Sequence, residues 1–121
     1  MKFLITGGAG FIGGNYAHIM TEKYPEDEFI VLDALTYAGN LETLEPLQNR
    51  PNFRFIKEDI CNREKIDELF EKEKFDVVIN FAAETHVDRS VLHPEVFLNT
   101  NIMGVQVLLD ASLKYGVSRF H

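Results

Sequence analysis

The sequence predicts an α/β fold, a doubly wound parallel sheet of about five strands in the order 3-2-1-4-5. Three observations predict it. Apolar runs and helical segments alternate along the chain, the pattern of successive right-handed βαβ units. Several of the apolar runs are continuous, as strands buried on both faces require. The first run leads straight into a glycine-rich turn, Thr6-Gly7-Gly8-Ala9-Gly10-Phe11-Ile12-Gly13, which opens a helical segment.

The expected strands are Lys2–Thr6, Phe29–Asp33, Phe53–Lys57, Asp76–Phe81 and Val117–His121. After the first, Gly7 and Gly8 lack a Cβ and can take positive φ in the turn. Gly10 lets a ligand lie against the backbone, and Gly13 lets the helix pack close to the strand. The helix that follows carries Ile12, Tyr16, Ile19, Met20 and Tyr24 on one face by helical periodicity. Its unpaired N–H groups and the positive end of its dipole would face a diphosphate. A glycine turn with no ligand is the alternative. The flanking strand and helix, with a matching acid downstream, argue against it.

That acid is Asp33, at the end of the second apolar run, Phe29-Ile30-Val31-Leu32. A carboxylate there accepts hydrogen bonds from the adenosine ribose hydroxyls and repels a 2′-phosphate. Ala34 follows, so no arginine stands ready for that phosphate, and NAD is expected over NADP. Strand, glycine turn, helix and distal acid together read as a Rossmann-type dinucleotide fold.

The second crossover is the least regular. Asn40 could cap a short helix carrying Leu41, Leu44 and Leu47, although Pro46 would disturb its interior. The third has one apolar stripe, Ile66, Leu69 and Phe70. The last runs from about Pro94 to Tyr115, with proline in its first turn and Gly116 at its end. Leu98, Ile102, Val105 and Leu109 form one face of it, and Val96, Met103 and Val107 another. A helix apolar on two sides is expected to be buried twice, by the sheet and by a partner or further segment. No sixth βα unit follows the fifth strand, so residues 1–121 read as the N-terminal part of a dinucleotide-binding domain, with the sheet incomplete and the substrate domain absent.

Composition agrees with this reading. The 121 residues carry 45% hydrophobic and 26% charged side chains, a globular mixture. A net charge of −7 argues against nucleic acid or an anionic membrane as partner. An anionic cofactor remains compatible, because backbone dipoles would hold it. The single Cys61 excludes an internal disulfide framework and a cysteine metal cluster. No stretch reaches the ~18 apolar residues of a membrane helix, and glycines interrupt the first apolar run too early for a signal peptide. A cytoplasmic protein is expected.

The glycine motif, Asp33, the pair Asp59-Ile60 and Asn80-Phe81-Ala82-Ala83 resemble the extended short-chain dehydrogenases/reductases that act on nucleotide sugars. Asp33-Ala34-Leu35-Thr36-Tyr37-Ala38-Gly39-Asn40-Leu41 and Ala82-Ala83-Glu84-Thr85-His86-Val87-Asp88-Arg89-Ser90 resemble signatures of the dTDP-glucose 4,6-dehydratase family. Thr100-Asn101-Ile102-Met103-Gly104 is similar to the family's long-helix segment. The resemblance implies cofactor contacts from Gly7, Gly10, Phe11, Ile12 and Gly13 at the pyrophosphate. It implies Asp33, Ala34, Leu35 and Thr36 around the adenosine ribose, and Asp59 and Ile60 beside the adenine. Phe81, Ala82 and Ala83 would pass the nicotinamide ribose, and Thr100 would add a contact. Thr85, where the family usually has serine, would touch both cofactor and sugar substrate.

The implied reaction converts dTDP-glucose to dTDP-4-keto-6-deoxyglucose and water, with hydride removed from C4 and returned to C6 through bound NAD. In the family a Tyr-x-x-x-Lys pair and a Thr-Asp-Glu segment perform it, and neither occurs in these 121 residues. No catalytic residue is therefore assigned. The family is a homodimer through the long helix and the Tyr-Lys helix, and it needs no metal. Glu84, His86 and Asp88 do not have the spacing of ligands converging on one ion, and Asp88 with Arg89 reads as a local pair. Two other readings stay open: a non-catalytic NAD-binding module, and part of another NAD-dependent nucleotide-sugar dehydratase, epimerase or decarboxylase.

Overall fold

The computed structural model describes residues 1–35, 41–82 and 94–121. The strands are β1 (Lys2–Thr6), β2 (Glu28–Asp33), β3 (Phe53–Lys57), β4 (Val77–Asn80) and β5 (Arg119–Phe120). They form one parallel sheet in the order β3-β2-β1-β4-β5, the expected doubly wound Rossmann arrangement. The central strand β1 is buried from Leu4 to Thr6, and β2 from Phe29 to Leu32. That double-sided burial is why these runs are continuously apolar.

Helices cover the sheet on both faces. On one lie α1 (Phe11–Lys23) and a 3-10 helix (Leu41–Leu47), over a core containing Ile5, Ala17, Phe29, Val31, Leu44 and Leu47. On the other, α2 (Arg63–Glu73) packs beside the last helix over Leu4, Ile30, Leu32, Ile66, Phe70 and Leu108. The stripe expected on α2 is the buried one: Ile66 and Phe70 are fully buried and Leu69 packs at the margin. Asn62 caps this helix by accepting a hydrogen bond from the Lys65 N–H.

Between β2 and β3, Pro46 does not break the helix, because the segment is a 3-10 turn and not an α-helix. With three residues per turn, Leu41, Leu44 and Leu47 align, and the latter two are buried. The Asn40 cap lies outside the described residues.

Helix α1 corrects the sequence reading. Its buried residues are Gly13, Gly14, Ala17 and Thr21, whereas Ile12 is 67% and Ile19 60% exposed. Of the bulky face, Tyr16 and Met20 are partly buried against the core. The reason is clearance. A Cβ on Gly13 would stand 2.3 Å from the Gly7 carbonyl oxygen, so only a seam of small residues lets the helix descend onto the loop. Thr21 fits the seam because its hydroxyl donates to the Ala17 carbonyl at 2.8 Å.

The last helix is interrupted too. It comprises α3 (Pro94–Leu98), a π-helical turn (Asn99–Met103) and α4 (Gly104–Lys114). Val107, Leu108 and Ala111 are buried, while Leu98, Ile102, Met103, Leu109 and Leu113 are exposed. The expected second apolar face does not hold together, since Met103 is exposed and Val107 buried. The wider π turn shifts the phase of the residues on either side, so one uninterrupted 3.6-residue repeat misassigns them.

Candidate functional site

The parallel register sets the C-terminal ends of the strands side by side: Thr6 is level with Leu32 and Asn80, and Asp33 with Lys57. The loops that follow these strands therefore share one edge of the sheet. Gly7 turns the chain there with φ +69°, its N–H donating to the Leu32 carbonyl at 2.8 Å. A Cβ on Gly7 would also lie 2.5 Å from the Ala82 nitrogen, so the turn and the β4 loop can touch only through glycine. Gly8 does not take positive φ as expected. It is glycine because a Cβ would sit 2.3 Å from Val31 Cγ1.

Gly10 is the N-cap of α1, in extended conformation, and no side chain caps the helix. Among described atoms a Cβ on Gly10 would meet only the Gly7 oxygen, at 3.4 Å. Phe11 and Ile12 follow at 85% and 67% exposure. The first turn of a 13-residue helix thus presents backbone N–H groups and the dipole's positive end, without a side-chain cap among the described residues, beside an open glycine. That is a cradle for an anion such as a diphosphate.

Asp33 closes one side of the cradle. Its Oδ2 accepts from the Ala9 N–H at 2.9 Å and its Oδ1 from the Leu35 N–H at 2.8 Å. Its backbone carbonyl accepts from Glu58 N–H at 3.1 Å. Leu35 is one of two non-glycine residues with positive φ among the described residues, at 56°. The carboxylate hydrogen bonds Leu35 directly, which supports that conformation.

Beyond β3, the loop is held by its own side chains. Asp59 Oδ1 accepts from Cys61 N–H at 2.8 Å, and Glu58 Oε1 accepts from Asp59 N–H and Asn62 Nδ2. Ile60 is only 3% exposed and belongs to the core cluster. Burial, reinforced by the Asp59 carboxylate, pushes the Cys61 thiol up to about 11, which keeps it protonated at neutral pH.

At the end of β4, Phe81 packs against Tyr16 with ring centroids 5.4 Å apart. The Phe81 N–H donates to the Thr6 carbonyl at 2.9 Å, and Ala82 N–H donates to Asn80 Oδ1 at 3.2 Å. Asn80 Oδ1 also accepts from the Thr6 hydroxyl. Sequence reasoning missed this Thr6–Asn80 pair. Its signal was a polar residue ending each of two apolar strands that become neighbours.

The structure brings Gly7, Gly10, Phe11, Ile12, Gly13, Asp33, Ala34, Leu35, Asp59, Ile60, Phe81 and Ala82 to this edge, in the loops, the start of α1 and the end of β2. Thr36, Ala83 and Thr85 lie outside the described residues, as do Glu84, His86, Asp88 and Arg89. Thr100 falls in the π turn. Among the described residues no three His, Cys, Asp or Glu side chains could hold a metal ion, and no helix is long and apolar enough to cross a membrane. Two of the tyrosines have structural contacts: Tyr115 donates to Asp67 at 3.0 Å, and Tyr16 packs on Phe81. His18 Nε2 lies 2.5 Å from the Thr43 carbonyl, linking α1 to the 3-10 helix.

The family model described as GDP-mannose 4,6 dehydratase matches residues 4–121. The chain belongs to that family. The chain is 47% identical over 120 residues to the low-salt glycan biosynthesis protein Agl12 of Haloferax volcanii, covering 99% of this chain and 38% of that one. It is 42% identical over 119 residues to dTDP-D-glucose 4,6-dehydratase of Mus musculus, covering 98% and 34%. Among solved structures, DesIV, a dTDP-glucose 4,6-dehydratase from Streptomyces venezuelae with NAD and TYD bound, superposes with a TM-score of 0.91. It shares 42% identity, over 99% of this chain and 38% of that one. The chain thus spans about a third of the length of the curated relatives it matches.

Proposed function

We propose that residues 1–121 are the NAD-binding, N-terminal part of a nucleotide-sugar dehydratase acting on dTDP-glucose. One observation carries the reading. An uncapped helix N-terminus, a glycine turn too tight for any Cβ and a strand-end carboxylate meet at one sheet edge. Relatives and a solved neighbour that are named as dTDP-glucose 4,6-dehydratases, the neighbour with NAD, support the choice of cofactor and substrate. Cytoplasmic location and homodimerisation of the whole protein belong to the same proposal, the second supported by the apolar residues exposed on the last helix.

In this reading the N–H groups at the start of α1, with Gly7, Gly10, Phe11, Ile12 and Gly13, receive the pyrophosphate. Asp33 receives the adenosine ribose hydroxyls, with Ala34, Leu35 and Thr36 around it. Asp59 and Ile60 border the adenine. Because Asp59 Oδ1 already accepts from Cys61 N–H and Ile60 is buried, that border is made of backbone and side-chain edges. Phe81, Ala82, Ala83, Thr85 and Thr100 flank the nicotinamide end, Thr85 also touching the sugar. Bound NAD supplies a hydride acceptor and donor; the residues here bind and orient it.

The test is a titration of the full-length protein with NAD, followed by incubation with dTDP-glucose. NAD binding and formation of the 4-keto-6-deoxy sugar are expected. NAD binding with turnover of a different nucleotide sugar would move the assignment to another dehydratase, epimerase or decarboxylase. Binding with no turnover of any would favour a non-catalytic module. The 121-residue chain alone is expected to be inactive, since it has neither Tyr-x-x-x-Lys nor Thr-Asp-Glu. Turnover by that pure chain would sink the catalytic argument.

A further inference from the structure

We propose that Asp33 is a positioning residue for the whole cofactor cradle, beyond any contact it makes to a ribose; this rests on the NAD reading above. The observation is the set of bonds made by this one residue. Its two carboxylate oxygens accept separately from Ala9 N–H in the glycine loop and from Leu35 N–H in the loop after β2. Its carbonyl accepts from Glu58 N–H in the loop after β3. Three loops that come from three different strands are tied at one point.

The chemistry requires a carboxylate. Two N–H donors approach its two oxygens, and a carboxylate is the acceptor-only group that satisfies both. An amide of the same size offers one oxygen and one NH2, so one donor would face another donor. Charge-assisted bonds to backbone N–H are also about twice as strong as neutral ones. Ala9 precedes the N-cap Gly10, so the bond to Ala9 sets where the first turn of α1 begins. Leu35, held at positive φ, sets the direction in which the chain leaves β2. Asp33 therefore fixes the position of the pyrophosphate donors from the ribose side of the site. A ligand without adenosine ribose hydroxyls should still feel its loss.

The experiment uses the full-length protein, wild type and Asp33→Asn, with NAD and with NAD whose adenosine ribose is 2′,3′-dideoxy. If Asp33 acts only through the ribose, the variant and the wild type bind the dideoxy ligand equally, and the proposal is overturned. If Asp33 positions the cradle, the variant binds the dideoxy ligand about tenfold more weakly, the size of one lost charge-assisted bond. A second measurement needs no ligand. Amide hydrogen exchange at Ala9 or Leu35 should accelerate by about tenfold in the variant with the sheet amides unchanged; unchanged exchange at both overturns the proposal. Failure of wild-type protein to bind NAD itself would bring down the cofactor reading and this inference together. Loss of the dideoxy effect alone would bring down only the inference.

Discussion

At Gly7 the backbone and its neighbours leave no room for a choice of residue. Any side chain would have to accept φ +69° and a Cβ 2.5 Å from the Ala82 nitrogen. The left-handed conformation alone costs an L-residue about 1–2 kcal/mol, and the contact is with backbone, which cannot swing aside. Gly7→Ala is therefore expected to destabilise the fold by about 2–4 kcal/mol in chemical denaturation and to abolish NAD binding. A stable variant that binds NAD normally would refute the role of this turn. Asp33 is constrained differently, by what it accepts. Asp33→Ala should weaken NAD binding and narrow the preference for NAD over NADP, because the repulsion of a 2′-phosphate goes with the carboxylate. Unchanged titration curves for both cofactors would remove Asp33 from the site. The acid at the end of β2 was legible from its spacing to the glycine motif. Its bonds to Ala9 and Leu35 were not, because a sequence pattern says which groups lie near and not which of them fill the lone pairs.

Elements show the same division. Strands β1 and β3 coincide with their expected limits, and β2 starts a residue earlier, since continuous runs of apolar residues have one solution in a sheet covered on both faces. Helix α1 went the other way. Its bulky apolar residues marked a face by periodicity, but the sheet and loop select for small volume there, and Gly13, Gly14, Ala17 and Thr21 are the buried set. Ala17→Leu is expected to destabilise by about 1–3 kcal/mol through overpacking, whereas Ile19→Gln, at 60% exposure, should change stability by less than about 0.5 kcal/mol. The reverse ranking in urea melts would restore the periodicity-based face. In the last helix the π turn at Asn99–Met103 defeats the same kind of reading for a different reason, a change of phase inside one run.

At the scale of the whole molecule, a charge network stands at the opposite end of the strands from the site. At the N-terminal ends of the strands, Glu73 of α2 is 6% exposed and accepts from Arg54 of β3 and from Lys2 of β1. Lys2 also pairs with Glu28 of β2 at 3.7 Å, so the network clamps α2 across adjacent strands. The Arg54 guanidinium, and after it the Lys2 ammonium, holds the Glu73 carboxyl below its ordinary value of 4.5. A lowered value in the folded state means that the unfolded chain takes up the proton first. The contribution to stability is complete above about pH 4.5 and is lost as pH falls through the lower folded value. Glu73→Gln should lower stability at neutral pH by about 1–2 kcal/mol, from weakened bonds to charged donors. It should also make the acid side of a Tm-against-pH curve shallower than in the wild type. Parallel curves would show that the carboxylate charge contributes nothing.

The sequence by itself determined the strand order, the glycine turn, the acid that faces it and the family, because each depends on residues close in the chain or on the burial a parallel sheet imposes. Only the tertiary structure decided which side of α1 is buried, that Gly8 makes room for Val31, that Thr6 pairs with Asn80, and that Asp33 ties three loops together. Those features depend on which atoms meet once the strands and loops are packed, most of them between segments far apart in the chain. Residue type and spacing do not carry that information; the packed sheet edge does.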